Sequence, residues 1–363
     1  MKNIPLVNLE RQYEKIKYDI YQAIDTVLNS RKFILGPTVE KFEDKFSKMH
    51  KCKYCVGCSS GTSAIKLALQ ALGVKKGDEV ITAPNTFIAT VGPIIELGAT
   101  PVFVDIGKDY LINPKLIEEK ITENTKVILP VHLYGLMCKM DKIQDIANEH
   151  NLKIIEDSAQ AHLATYKGHY PGYYSDIATF SFYPGKNLGA YGDAGALLTN
   201  NKGIYDKLQL LRNHGRTSKY EHLISGSNER MDAIQAAVLS VKLKYINRWT
   251  IKRRKNAKLY KQELDEKYIT PKINEGHVWH LYVIQSHNRN KVRRHLEENG
   301  IQSGIHYPIP LHLQPALKYL GYKDGDFPVT EDVTQKIISL PMCPELSRDE
   351  IYDICYELNK LVF

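Results

Sequence analysis

The residues with the plainest chemical potential in this chain are one lysine and one aspartate. Lys186 lies in Phe180-Ser-Phe-Tyr-Pro-Gly-Lys-Asn-Leu-Gly-Ala-Tyr-Gly-Asp193, a stretch punctuated by Pro184, Gly185, Gly189 and Gly192. Glycine lets backbone approach a ligand closely because no Cβ intervenes. Upstream, Ile154-Ile-Glu-Asp-Ser-Ala-Gln160 reads as a buried-type strand ending in the carboxylate Asp157. A lysine taken alone is usually a solvated surface cation. A lysine able to form a Schiff base, together with an aspartate able to face a ring nitrogen, supplies the two poles of a pyridoxal phosphate site.

The elements that must position this pair are legible around it. Tyr54–Ser59, Glu79–Thr82, Pro101–Asp105, Val127–Val131, Lys153–Asp157 and Ile177–Phe182 are short β-prone or apolar runs, several of them separated by helical patterns. Such alternation predicts a mostly parallel sheet covered by helices on both faces, with ligands gathering at the carboxyl ends of strands. Ser59-Ser-Gly-Thr-Ser63 opens a helix whose Ala64, Leu67, Ala68, Ala71 and Leu72 share a face. The free N–H groups of that first turn, at Gly61 and Thr62, suit an anion; Ser181 offers a hydroxyl beside the lysine loop. Residues 10–29 read as an amphipathic opening helix, Thr38 as the cap of a second, Asn85–Ala89 as the start of another and Asp232 to about Trp249 as one long helix. His132 and His162 read as structural histidines. From about residue 245 the character changes towards a compact α+β unit, which predicts domains of residues 1–245 and 246–363.

At 363 residues the chain suits a large domain plus a smaller one. Its 49 Lys+Arg against 41 Asp+Glu give +8, but the excess is scattered, and the basic run Lys252–Lys255 falls inside a helical pattern. No nucleic-acid binding is expected; a mildly basic surface suits a pyrophosphate-bearing substrate. No apolar run reaches membrane-spanning length and the N-terminus is not signal-like, so a cytoplasmic location is expected. Cys52, Cys55 and Cys58 have half-site spacing for a metal, yet no fourth ligand follows, and buried small hydrophobes are the reading.

Read in order, Glu156-Asp-Ser-Ala-Gln-Ala-His162 and then Phe180 to Asp193 resemble the DegT/StrS-type nucleotide-sugar aminotransferases, with likeness from Pro5-Leu-Val-Asn-Leu9 to Ser339-Leu-Pro-Met342. The resemblance implies the aspartate-aminotransferase fold, a fold type I enzyme of pyridoxal 5′-phosphate. It implies that Lys186 binds the cofactor and shuttles the proton, that Asp157 keeps the ring nitrogen protonated, and that Phe87 stacks on the ring. Gln160 then lies near the ring hydroxyl, and Gly61, Thr62 and Ser181 hold the phosphate. It further implies a homodimer in which Asn228 reaches the neighbouring subunit's phosphate, completing the site in trans.

Phe182 to Asp193, Asn213-His-Gly215 and His306-Tyr-Pro308 are similar to the branch aminating C3 of the sugar. This implies transfer from L-glutamate, released as 2-oxoglutarate, to a dTDP-3-keto-6-deoxyhexose for surface-glycan synthesis, with Tyr183, His306 and Tyr307 at the hexose. Alternatives are a 4-keto-sugar 4-aminotransferase, a UDP-3-keto-sugar 3-aminotransferase and a regulatory protein without turnover; Lys186 speaks against the related dehydratase, which has histidine there. Leu163 and Ser175 stand where the family commonly has glycine, and Ser59-Ser60 where it has Asn or Gly, which puts local turn geometry in question.

Overall fold

A computed structural model describes residues 3–362. The strands β1 (Tyr54–Cys58), β2 (Glu79–Thr82), β3 (Thr100–Phe103), β4 (Thr125–Ile128), β5 (Lys153–Asp157), β6 (Ile177–Ser181) and β7 (Gly195–Thr199) form one seven-stranded sheet, in the order β1-β7-β6-β5-β4-β2-β3. β6, β5, β4, β2 and β3 pair in parallel, while β7 runs antiparallel between β6 and β1. Alternate residues of a strand point to opposite faces. Accordingly Ala196 and Leu198 of β7 pack into one hydrophobic core and Leu197 into another. The sheet is therefore buried on both sides, as its apolar strands require.

Helix α1 (Leu9–Ser30) follows the predicted periodicity, with Ile16, Ile20 and Val27 buried. Helix α2 (Pro37–Met49) starts earlier than predicted: its N-cap is Gly36 at φ 77°, Pro37 takes the first turn, and Thr38 is not the cap. A proline there has its fixed φ ready for the helix and no orphan N–H. Helix α3 (Gly61–Ala71) is capped by Ser60, whose Oγ accepts from Ser63 N at 3.0 Å. After Asn85 the chain forms only a 3₁₀ turn at Ile88–Thr90 before a short helix at Gly92–Glu96. The predicted long helix is two, Ala233–Lys242 and Ile246–Glu263, broken by a turn at 243–245. We propose that this turn divides the chain into units of residues 1–245 and 246–363.

In the C-terminal half, β8 (Tyr282–Gln285) and β9 (Ile337–Leu340) pair antiparallel. With the helices Ile246–Glu263, Arg289–Glu298 and Arg348–Asn359 they enclose a third core, in which Tyr260, Tyr282 and Ile338 are fully buried and Ile4 takes part. Cys52, Cys55 and Cys58 are buried and divide between the cores on either face of the large sheet rather than converging. Burial pushes the Cys52 and Cys58 thiols up to about 12. Among the described residues no helix is long and apolar enough to cross a membrane.

Candidate active site

A cavity of about 610 Å³ opens at the carboxyl ends of β5 and β6, lined on its other sides by the start of α3, the Thr86–Thr90 turn and the 280–281 and 306–307 segments. Of the predicted site residues, Gly61, Thr62, Phe87, Asp157, Gln160, Ser181, Tyr183, Lys186, His306 and Tyr307 all line it. Asn228 does not: it is exposed on the segment bridged to Asn213, outside this chain's own cavity.

Asp157 ends β5, held through its backbone, with its N–H donating to Pro130 O at 2.9 Å and its carbonyl accepting from His132 N at 3.0 Å. Its buried carboxylate accepts from Thr90 Oγ1 at 2.9 Å and from Ala159 N at 3.1 Å. Since the Thr90 proton goes to Asp157, Thr86 Oγ1, 2.8 Å away, must donate to Thr90. This relay escaped the sequence reading, although Thr86 and Thr90 are four residues apart.

Neighbouring Glu156 points to the opposite face, where Gly172 N, Ser175 Oγ and His132 Nε2 satisfy it at 2.7, 2.6 and 2.6 Å. Because His132 Nδ1 accepts from Cys138 N at 3.2 Å, its Nε2 holds the proton. Ser175 thus uses its hydroxyl where glycine would have none. Leu163 sits at φ 62°, the left-handed region in which glycine would be unstrained, and its side chain is buried in core. His162 packs against Phe180 and Phe182, and burial holds it well below the ordinary histidine range.

Lys186 stands half-buried in the cavity wall, its N–H donating to Tyr183 O at 2.8 Å. Loss of hydration pushes its ammonium down to about 8, against the opposing attraction of Asp157. The loop is clasped from the Ala233–Lys242 helix. Gln235 Oε1 accepts from Tyr191 N at 2.9 Å, and buried Lys242 donates to Gly189 O at 2.7 Å. Gly189 is obligatory, since a Cβ would lie 2.3 Å from Pro184 O.

The start of α3 presses against β6 just as tightly. A Cβ on Gly61 would lie 2.6 Å from Ser181 Cβ, so only glycine brings this turn's N–H groups up to the Ser181 hydroxyl. Ser59 and Ser63 both donate to Glu229 Oε2, at 2.7 and 2.6 Å, which secures the Ser59-Ser60 turn. Phe87, 54% exposed, turns its ring into the cavity and lies 5.5 Å from the Tyr307 ring. Gln160 accepts from Tyr134 N at 2.6 Å and donates to Tyr307 Oη at 3.4 Å. Burial, then the charge of Asp157, raises the Tyr307 phenol, and burial pushes His306 down to about 4.

A primary amine opposite a pinned carboxylate, beneath a helix N-terminus and an exposed aromatic ring, fits pyridoxal 5′-phosphate group by group. The fold and this site together define a sugar-aminotransferase class, and residues 14–359 match the DegT/DnrJ/EryC1/StrS aminotransferase family, to which the chain belongs. The family depends on pyridoxal 5′-phosphate. The chain is 43% identical over 361 residues to the dTDP-3-amino-3,6-dideoxy-alpha-D-galactopyranose transaminase of Aneurinibacillus thermoaerophilus, covering 98% of this chain and 99% of that one. A protein of Geobacillus stearothermophilus named pleiotropic regulatory protein is 45% identical over 355 residues, covering 96% and 95%. Among solved structures, DesV of S. venezuelae superposes with a TM-score of 0.97 at 38% identity, covering 100% of both chains.

Proposed function

We propose that this protein transfers the amino group of L-glutamate to C3 of a dTDP-3-keto-6-deoxyhexose. The product is a dTDP-3-amino-3,6-dideoxyhexose for surface-glycan synthesis, made by a cytoplasmic homodimer. The observation that carries the amino-transfer reading is the Lys186 amine in one cavity with the Thr90-pinned Asp157. The choice of C3 and of dTDP rests on the likeness of Phe182–Asp193 and His306–Pro308 to that branch, and on the name of the Aneurinibacillus relative. A regulatory role without turnover would not require Lys186, Asp157, Gln160 and Ser181 to stay together around one cavity.

When bound, the cofactor supplies an electron sink for proton removal at the amino-bearing carbon. Gly61, Thr62 and Ser181 would hold its phosphate, joined by Asn228 from a second copy of the chain. Asp157 would keep a proton on the ring nitrogen, Phe87 would cover the ring face, and Gln160 would stand near the ring hydroxyl. Lys186 Nζ, its ammonium weakened by burial, would accept the proton removed at the amino-bearing carbon and hold it at the reacting centre. Tyr183, His306 and Tyr307 would contact the hexose. Purified protein should be yellow and should bleach with L-glutamate, whereas Lys186→Ala should not bleach at a comparable rate. Wild-type protein that neither colours nor responds to glutamate would refute the proposal.

A further inference from the structure

His280 lines the cavity beside Lys186 and His306, yet no motif pointed to it. Its backbone is fixed from both sides. The N–H donates to Tyr134 O at 2.9 Å, and the carbonyl accepts from buried Arg253 at 3.3 Å. The ring is fixed as well. Asn187, the residue after the lysine, donates its Nδ2 to Val278 O at 3.0 Å, which leaves its Oδ1 to face His280 Nδ1 at 3.2 Å. An amide oxygen only accepts, so Nδ1 must carry the proton. Burial, with the cations Lys186 and Arg253 and the rings of His306 and His162 nearby, keeps this imidazole neutral. Its Nε2 is then a bare lone pair, without a partner among the described residues.

We infer that His280 Nε2 is a specificity-determining acceptor for a hydroxyl of the sugar, and that Asn187 is the positioning residue that fixes its tautomer. The inference rests on the proposed sugar aminotransfer. Of the two substrates in that reading, glutamate offers carboxylates, which only accept, and an amino group engaged at the reacting centre. The hexose offers O–H donors. A site built with a buried acceptor also disfavours a sugar lacking the matching hydroxyl, because the acceptor is then left unpaired.

The test has two arms. Holoenzyme labelled with ¹⁵N-histidine, with the His280 signals identified by their absence in His280→Phe, should show protonated Nδ1 and bare Nε2. The Nε2 signal should move when a dTDP-amino sugar binds. In single-turnover kinetics, His280→Phe should lower kcat/KM of the sugar half-reaction on the order of tenfold more than that of the glutamate half-reaction, the loss of one neutral hydrogen bond. A protonated Nε2, or a variant impaired equally in both half-reactions, would overturn the inference. If that variant does not fold, the tautomer in wild-type enzyme still decides. Wild-type enzyme that converts no amino sugar defeats the underlying reading instead, and is told apart by the wild-type control.

Discussion

Thr90 Oγ1 donates to Asp157 Oδ2 at 2.9 Å, and Thr86 Oγ1 donates in turn to Thr90, so the carboxylate facing Lys186 is held by a two-hydroxyl relay. Thr90→Val keeps the shape and removes the donor, a loss of about 1.5–3 kcal/mol for a bond to a charged acceptor. Cofactor affinity should fall by about tenfold or more, read by titrating cofactor-free protein and following visible absorbance. Unchanged affinity would mean that Ala159 N alone orients Asp157.

Gly61 bears on the phosphate. Alanine there would drive a Cβ into Ser181, at 2.6 Å from its Cβ and 3.2 Å from its Cα, which forces α3 and β6 apart. Overpacking of this kind costs about 1–3 kcal/mol. Gly61→Ala should lower the midpoint of thermal unfolding and release cofactor on dialysis, while Gly73→Ala, where φ is +78° but nothing lies within 4 Å, should lower the midpoint and keep its colour.

Lys186 gives a pH signature with a definite sign. Its ammonium is pushed down to about 8 in the fold from 10.5. Between those values the unfolded chain holds a proton that the folded chain has released, so stability contributed by this group rises with pH across the window and is flat below it. Urea unfolding of cofactor-free wild type and Lys186→Ala from pH 7 to 10 should show the difference moving in favour of wild type only above about 8. A difference that moves the other way would reverse the assigned cause, desolvation outweighing Asp157.

Asn228 lies outside its own chain's cavity, so the proposed dimer predicts complementation. In a mixed dimer of Lys186→Ala and Asn228→Ala subunits, completion in trans leaves one site with both residues intact. Mixing the two weak variants should therefore restore activity. Completion in cis predicts no recovery.

The sequence was most readable where one period dominates. Lys153–Asp157 is a strand at the bounds its apolar run predicts, and α1 differs by a single residue at each end. Thr38 misled because a residue with good capping chemistry lies just inside a helix that glycine and proline had already started. The split at 243–245 escaped because Leu243 and Ile246 keep the helical spacing of apolar residues through the turn. Lys186, Asp157 and Gly61 announce themselves by residue type. Thr90, Asn187 and His280 take their roles from partners far away in sequence, as when Thr90 meets Asp157 across 67 residues, and no local pattern encodes such a meeting.

Amination at C3 is tested most directly by running the reaction backwards, because 3-keto sugar nucleotides are labile. Holoenzyme would be mixed with 2-oxoglutarate and either a dTDP-3-amino- or a dTDP-4-amino-6-deoxyhexose, and glutamate followed with time. Glutamate should form from the 3-amino sugar alone. Glutamate from the 4-amino sugar alone would contradict it and place the chemistry at C4.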